Sequence, residues 1–510
     1  MEAKTKTQIC VPVCEATLTA MQQAAVRASE VGDLIELRFD CLTRNELNRA
    51  TGALDTLLST MDHPVIITLR PAEQGGGGSF ELKYRRDFFD RPFTKDFVDI
   101  ELDLATMLMA IRNVKVDWKR VICSHHDFQR VPADLTQIYE RLAATPARIL
   151  KIAVQAQDVI DCLPVFKLME RARIEGREII AIAMGEAGIA SRILGPSRGG
   201  FLTYGSLGEQ TGTAPGQAPA AELRQLYRVD EIDSETGITG LIGCPVSHSI
   251  SPHIQNAAFA ATRVNAVFIP FEVHDLRAFV TRMANPLTRE LNWNLRGLSV
   301  TAPHKSAVMD LLDSVHEVAR EIGAVNTIVI DQDHLLGYNT DAAALIDALK
   351  ERVGDLKGAN CAVVGAGGAA RAALWGLRSQ GAATTLFARD LKKASLVADR
   401  FAAHLKPLRN SSFREFDVVV NATPLGTRGP LAEETPAIAE QLGGARLVYD
   451  LVYNPSETRF LREARAAGCE TLGGLTMLVN QAVEQFRLWT GIDPSYEVMQ
   501  HAATRALSNE

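Results

Sequence analysis

The chain has 510 residues, 46% of them hydrophobic and 23% charged, the make-up of an ordinary water-soluble globular protein with room for roughly three domains. A formal net charge of −7 gives no electrostatic ground for binding nucleic acid or an anionic membrane. No apolar window approaches the ~18 residues a membrane-spanning helix needs, and the opening MEAKTKTQIC carries no apolar signal segment, so cytoplasmic residence is expected.

The eight cysteines, at 10, 14, 41, 123, 162, 244, 361 and 469, form no CxxC and no Cys/His pair at zinc spacing. Free thiols in a reducing compartment and no metal site are expected, with Cys10 and Cys14 as small core residues.

In the first half, apolar strand-like runs alternate with stretches of helical period. They are QICVPV (8–13), LIELRFD (34–40), VIITLR (65–70), FVDIELD (97–103), VICSHHD (121–127), ILKIAV (149–154), IIAIAM (179–184) and FLTYGSL (201–207). Eight strands with intervening helices predict an α/β fold, a (β/α)8 barrel, whose site lies at the carboxyl ends of the strands. Polar residues fall where that model needs them. Glu36 and Arg38 share one side of the second strand, Arg70 ends the third, Ser124, His126 and Asp127 end the fifth, and Met184 ends the seventh, with Ser191 and Arg192 beyond it. Arg38, Arg70 and Arg192 would together form an anion pocket.

Lys151 stands alone inside the apolar run ARILKIAV (147–154). Burial disfavours an ammonium and favours the free amine, the form that attacks a ketone to give a Schiff base. A lone lysine in a strand more often snorkels its charge to solvent, so the reading rests on its companions.

Those companions, ELRFD (36–40), SHHDF (124–128), KIAV (151–154), MGEAGIASR (184–192) and TAPGQ (213–217), resemble type I 3-dehydroquinate dehydratase over the first ~225 residues. The resemblance implies that Lys151 forms the Schiff base and His126 moves the proton. It further implies that Glu36, Arg38, Arg70, Met184, Arg192, Tyr204, Thr213 and Gln217 hold the substrate. His125 and His126 point to opposite sides of a strand, and the family pattern selects the one before Asp127. In the loop RPAEQGGGGS (70–79) the family usually has a glutamate before the glycine pair; here that position is Gln74, with Glu73 beside it. Either Glu73 reaches the histidine through a shifted loop, or a neutral amide tunes it. The glycines suggest a mobile lid or hinge.

After a helix near 220–227, the acidic VDEIDSETG (229–237) reads as a linker. A strand, TGLIG, then leads into CPVSHSISPHIQNAAF (244–259), and GLSVTAPHK (297–305), GAVNTI (323–328) and GYNTD (337–341) each put polar groups at a strand end. Lys305 and Asp341 are an ionisable pair able to pass a proton to a ketone oxygen. The segment NCAVVGAGGAARAALWGLRSQG (360–381) has the strand, glycine turn and helix of a dinucleotide fingerprint. Arg389, followed by Lys392 and Lys393, ends the next strand where an NAD-selective protein carries an acid, which favours the 2′-phosphate of NADP(H). Further strands at 417–424 and 446–453 extend the parallel sheet, and 473–491 is an amphipathic helix expected to pack back on the substrate domain.

With NATPLG, DLVYNP and GGLTMLVNQA added, residues 238 to 500 resemble shikimate dehydrogenase. The resemblance implies that Ser249, Ser251 and Tyr453 hold the substrate carboxylate. Thr301, Asn326 and Gln481 would hold its hydroxyls, and Lys305 and Asp341 would form the catalytic pair. Gly365, Gly367, Gly368, Ala369, Arg371, Arg389, Thr423 and Gly474 would line the cofactor site. Asp390 stands where the family often has threonine, which bears on NADP selectivity.

The expected organisation is a barrel (1–228), a linker (229–237), a substrate domain (238–341), a Rossmann domain (342–474) and C-terminal helices (475–510). The expected function is dehydration of 3-dehydroquinate to 3-dehydroshikimate followed by NADPH-dependent reduction to shikimate. Small-molecule substrates are the expected partners, and the oligomeric state is left open. The alternatives are quinate as substrate of the second half, or a non-catalytic metabolite sensor, against which the presence of Lys151, His126, Lys305 and Asp341 argues.

Overall fold

The apolar runs of the first half form eight strands: β1 (Ile9–Val13), β2 (Leu34–Arg38), β3 (Val65–Thr68), β4 (Phe97–Glu101), β5 (Val121–Asp127), β6 (Ile149–Gln155), β7 (Glu178–Met184) and β8 (Thr203–Tyr204). The protein is described from a computed structural model covering residues 6–59, 61–91, 97–111, 115–208 and 212–509. The strands lie in the order β7-β6-β5-β4-β3-β2-β1-β8, with parallel pairing along the ladder. Phe201 N donates to Ile179 O at 2.7 Å, so the barrel is nearly closed. The last strand is shorter than expected because the chain turns at Gly205, where an added Cβ would lie 2.7 Å from Ala220 Cα.

Alternation sets what faces inward. Cys10, Leu34, Ile66, Ile122, Ile149 and Ile180 fill an apolar layer. Two residues further along, on the same side, Glu36, Thr68, Ser124 and Lys151 are buried, and Asp99 joins them from β4.

Two expectations are corrected. Cys14 and Cys41 form a disulfide, so they are not free thiols, and Cys14 is exposed rather than a core residue. The acidic stretch at 229–237 carries buried Val229 and Ile232, and Thr7 Oγ1 donates to Val229 O at 3.1 Å, which fixes it against the barrel.

The chain divides into two compact units: Met1–Thr236 with Ile269–Ala284 and Thr288–Asn294, and Gly237–Phe268 with Asn285–Leu287 and Leu295–Glu510. One sheet of the second half contains β9 (Gly237–Gly243), β10 (Ala266–Glu272), β11 (Leu295–Val300), β12 (Ser314–Val315), β13 (Thr327–Asp331) and β14 (His334–Tyr338), in the order β10-β9-β11-β13-β14-β12. The other contains β15 (Asn360–Val364), β16 (Ala383–Ala388), β17 (His404–Pro407), β18 (Val418–Asn421), β19 (Leu447–Asp450) and β20 (Glu470–Leu472). Its parallel order β17-β16-β15-β18-β19-β20 is that of a Rossmann fold, with the switch point between β15 and β18.

Helix Leu475–Thr490 buries Val479, Ala482, Val483 and Phe486 in one core with Ile250, which precedes helix Ser251–Thr262, and with Ile254 and Phe259 of that helix. It approaches β11 closely: a Cβ at Gly297 would lie 2.1 Å from Trp489 Nε1, which donates to Ile328 O at 3.0 Å. Gly297→Ala is expected to lose about 1–3 kcal/mol of stability by overpacking, read as a lower thermal midpoint.

Candidate active sites

In the barrel, Lys151 is 4% exposed, and its environment is polar rather than the apolar one its strand suggested. Its Nζ lies 2.8 Å from Asp99 Oδ2, 2.9 Å from Tyr204 Oη and 3.6 Å from Glu36 Oε1. Arg70 joins the same cluster, donating to Asp99 at 2.7 Å and to both Glu101 and Ser124 at 2.8 Å. Ser124 Oγ donates to Asp99 Oδ1 at 2.5 Å, and Thr68 Oγ1 donates to Glu36 at 2.7 Å. Burial alone would raise the Asp99 carboxyl, but the Arg70 guanidinium and Lys151 ammonium hold it below the usual carboxylate range. Asp99 and Glu101 escaped the sequence reading, although their alternation in FVDIE was visible.

His126 lies in the same pocket and His125 outside it. Burial, then the charges of Arg70 and Lys151, push the His126 imidazolium well below the usual histidine value of 6.5, so the ring is a neutral base. Gln74 takes the neighbouring position and Glu73 is exposed. Gln74 Oε1 accepts from His126 N at 3.1 Å and lies 3.3 Å from Nδ1. An amide oxygen there favours the Nδ1–H tautomer and leaves Nε2 as the base.

The glycines after Gln74 pack closely. A Cβ at Gly76 would lie 1.9 Å from Arg70 O, and one at Gly77 2.6 Å from Asp40 O. Arg38 forms a forked pair with Asp40 at 2.9 and 2.7 Å. Among the described residues Arg192 has no such partner: it is 1% exposed, reaches only carbonyls at 3.4 Å, and its buried Nε is unbonded. Burial pulls its guanidinium down to about 10. Met184, Thr213 and Gln217 complete the lining of a pocket of about 50 Å³, with Gln217 Oε1 accepting from Thr213 N at 2.9 Å.

A larger cleft, about 590 Å³, lies in the second unit. Ser249, Ser251, Thr301, Lys305, Asn326, Asp341, Thr423, Tyr453, Gly474 and Gln481 all line it, as does Ala369. Lys305 Nζ is 2.5 Å from Asp341 Oδ2, and Asp341 opens helix Asp341–Val353, where the dipole favours a carboxylate. Asn326 donates to Asp341 Oδ1 at 2.8 Å and to Thr340 Oγ1 at 2.9 Å. Both its amide hydrogens are thus engaged, and it orients Asp341. Gln485, absent from the expected set, donates to Asn326 O at 3.2 Å and accepts from Ser299 at 2.6 Å. Its buried amide in the helical face of LVNQAVEQF was the available signal.

The residues beyond β15 suit a dinucleotide. Gly365 has φ 114° and sits where a Cβ would lie 2.9 Å from Ala422 O. A Cβ at Gly367 would meet nothing within 4 Å, and helix Gly368–Ser379 starts there with no side-chain cap, so its first N–H groups are open to a pyrophosphate. At Gly368 a Cβ would lie 2.9 Å from Lys305 Cδ, which brings this turn against the lysine paired with Asp341. Arg371 is half-buried near Arg400, and Arg389 is exposed at the end of β16. Asp390 accepts from Lys393 N at 3.0 Å and so caps the following helix. Gly365, Gly367 and Gly368 on this turn, Arg371 in the helix that follows and Arg389 at the strand end do not line the cleft wall.

The comparisons agree with both geometries. The type I 3-dehydroquinase model matches residues 9–234. The shikimate dehydrogenase substrate binding domain matches 241–328, and the shikimate 5'-dehydrogenase C-terminal domain matches 474–504. A crystal structure of shikimate dehydrogenase in complex with NADP+ is 36% identical, covers 54% of this chain and 97% of its own, and superposes with a TM-score of 0.50. The shikimate biosynthesis protein AroDE of Chlamydia pneumoniae is 29% identical over 483 residues, 94% of this chain and 95% of that one. The chloroplastic bifunctional 3-dehydroquinate dehydratase/shikimate dehydrogenase of Arabidopsis thaliana is 34% identical over 519 residues, 97% of this chain and 84% of that protein. The chain belongs to the family of bifunctional 3-dehydroquinate dehydratase/shikimate dehydrogenase enzymes.

Proposed function

We propose that the barrel pocket dehydrates 3-dehydroquinate through a Schiff base on Lys151 and that the cleft reduces the product, 3-dehydroshikimate, to shikimate with NADPH. The observation that carries the first assignment is the meeting of Lys151, neutral His126 and Arg192, which has no acidic partner among the described residues, in one buried pocket. Arg192 binds the substrate carboxylate, the counter-charge its own surroundings lack. Once the Lys151 ammonium has passed a proton to the ketone oxygen, its nitrogen adds to the carbonyl carbon; a second nitrogen proton follows to the oxygen, which leaves as water. The resulting iminium draws electrons from the adjacent C–H, so His126 Nε2 can remove that proton and deliver it to the departing hydroxyl. Hydrolysis of the imine frees the product and Lys151. Asp99 and Tyr204 hold the lysine in line, and Gln74 holds the histidine tautomer.

In the cleft, Ser249, Ser251 and Tyr453 hold the carboxylate and Thr301 and Gln481 the hydroxyls, while Lys305 donates a proton to the ketone oxygen. Asp341, fixed by Asn326, keeps Lys305 aimed there. The glycine turn 365–368, Arg371 and Arg389 would hold NADPH, which supplies the hydride. We place the protein in the cytoplasm; no helix among the described residues is long and apolar enough to cross a membrane.

Lys151→Ala is expected to abolish NADPH oxidation from 3-dehydroquinate while retaining it from 3-dehydroshikimate; loss of both would refute the division of labour. Lys305→Ala should lower kcat of the reductase by about 10²–10⁴-fold with little change in KM. A general base acts only when unprotonated, so depressing His126 extends dehydratase activity to lower pH, and the acid limb of kcat/KM should lie below the ordinary 6.5. Gln74→Glu would stabilise the imidazolium and move that limb up by about 1–2 pH units. An unmoved limb would remove Gln74 from the mechanism.

A further inference from the structure

The Cys14–Cys41 disulfide closes a 27-residue separation at the catalytic end of the barrel. Cys14 directly follows β1 and Cys41 ends the turn Phe39–Cys41 after β2, two neighbouring strands paired at Val13 and Leu37. Cys14 is exposed and Cys41 partly so, and a soluble thiol can reach them; Cys10, Cys123, Cys162, Cys361 and Cys469 are buried.

What adjoins Cys41 gives the bond a consequence. Asp40, its neighbour, takes the Arg38 fork and accepts from Arg70 N at 3.2 Å and Gly77 N at 2.9 Å. Gly77 packs on the backbone of Asp40, with a Cβ position 3.5 Å from Cys41 Cα. The same loop carries Gln74, the partner of His126. The cross-link therefore anchors one turn that positions both Arg38 and the loop bearing Gln74.

We propose that Cys14–Cys41 is a redox-controlled staple of the dehydratase site: the disulfide form holds Arg38 and the Gln74 loop in binding geometry, and reduction loosens them without affecting the dehydrogenase. In the exchange, a thiolate of a dithiol attacks one sulfur, the S–S bond breaks and a mixed disulfide forms. The dithiol's second thiolate then displaces the other cysteine. The pair gains two electrons and two protons, and the dithiol is oxidised to its cyclic disulfide. The two loops also share a backbone bond, Thr43 N to Ala16 O at 3.0 Å, so reduction relaxes the turn rather than releasing it.

The inference rests on the assignment of the barrel pocket as the dehydratase site, and one experiment separates the two. The full-length enzyme is equilibrated in oxidised or reduced dithiothreitol, its thiol state is read by alkylation and mass, and both activities are measured on each sample. On reduction, KM for 3-dehydroquinate should rise at least about five-fold, reversibly, while reductase parameters stay constant. The Cys14→Ser/Cys41→Ser variant should stay at the reduced value in both buffers. The proposal is overturned if the disulfide and dithiol forms turn over alike, if both activities fall together, if the double variant still responds, or if the disulfide forms in neither buffer. Failure of the site assignment looks different: the oxidised wild type would show no dehydratase turnover at all.

Discussion

The dehydratase half depends on one arrangement, the sharing of Asp99 between Lys151, Arg70 and Ser124. Moving isolated charges into a barrel interior costs several kcal/mol each, and the cost is offset where the charges are paired and hydrogen-bonded. Here Glu36, Asp99 and Glu101 interleave with Lys151, Arg70 and Arg85, and Thr68 and Ser124 supply further donors. Burial first, and then the nearness of Arg70 and Lys151, holds the His126 imidazolium down and keeps that ring neutral. The packing that buries this network thus also suits His126 to the proton-transfer role proposed for it.

The dehydrogenase half uses a different means to the same end. Its cleft is larger, and its ionic pair is held from behind by neutral amides: Asn326 fixes Asp341, and Gln485 ties Asn326 to Ser299 and Thr327. Amides add direction without net charge, which suits a site that must accept an anionic substrate and a phosphate-bearing cofactor together.

Much of this was legible because the chemistry sits in contiguous words. Lys151 in an apolar strand, SHHDF at a strand end and VVGAGG before a helix each carry their own context. Three things were not legible. The strand β17, HLKP, is polar and largely exposed, so no period marks it, and β20 is only a short edge. The role of Asp99 depends on which strand lies across the barrel, which alternation within FVDIE cannot reveal. Cys14 and Cys41 are far apart in sequence, and only the pairing of β1 with β2 brings them together.

The departure of Gln74 from the family pattern posed a choice between Glu73 in a shifted loop and a neutral amide, and the geometry selects the amide. A carboxylate at that point would pair with an imidazolium and oppose the cations that keep His126 neutral. The amide instead leaves burial, Arg70 and Lys151 to dominate. A base held below the ordinary histidine value is weaker than a free imidazole. In the proposed mechanism the iminium on Lys151 acidifies the C–H that His126 removes, so the lysine's electron sink would offset the histidine's lowered basicity.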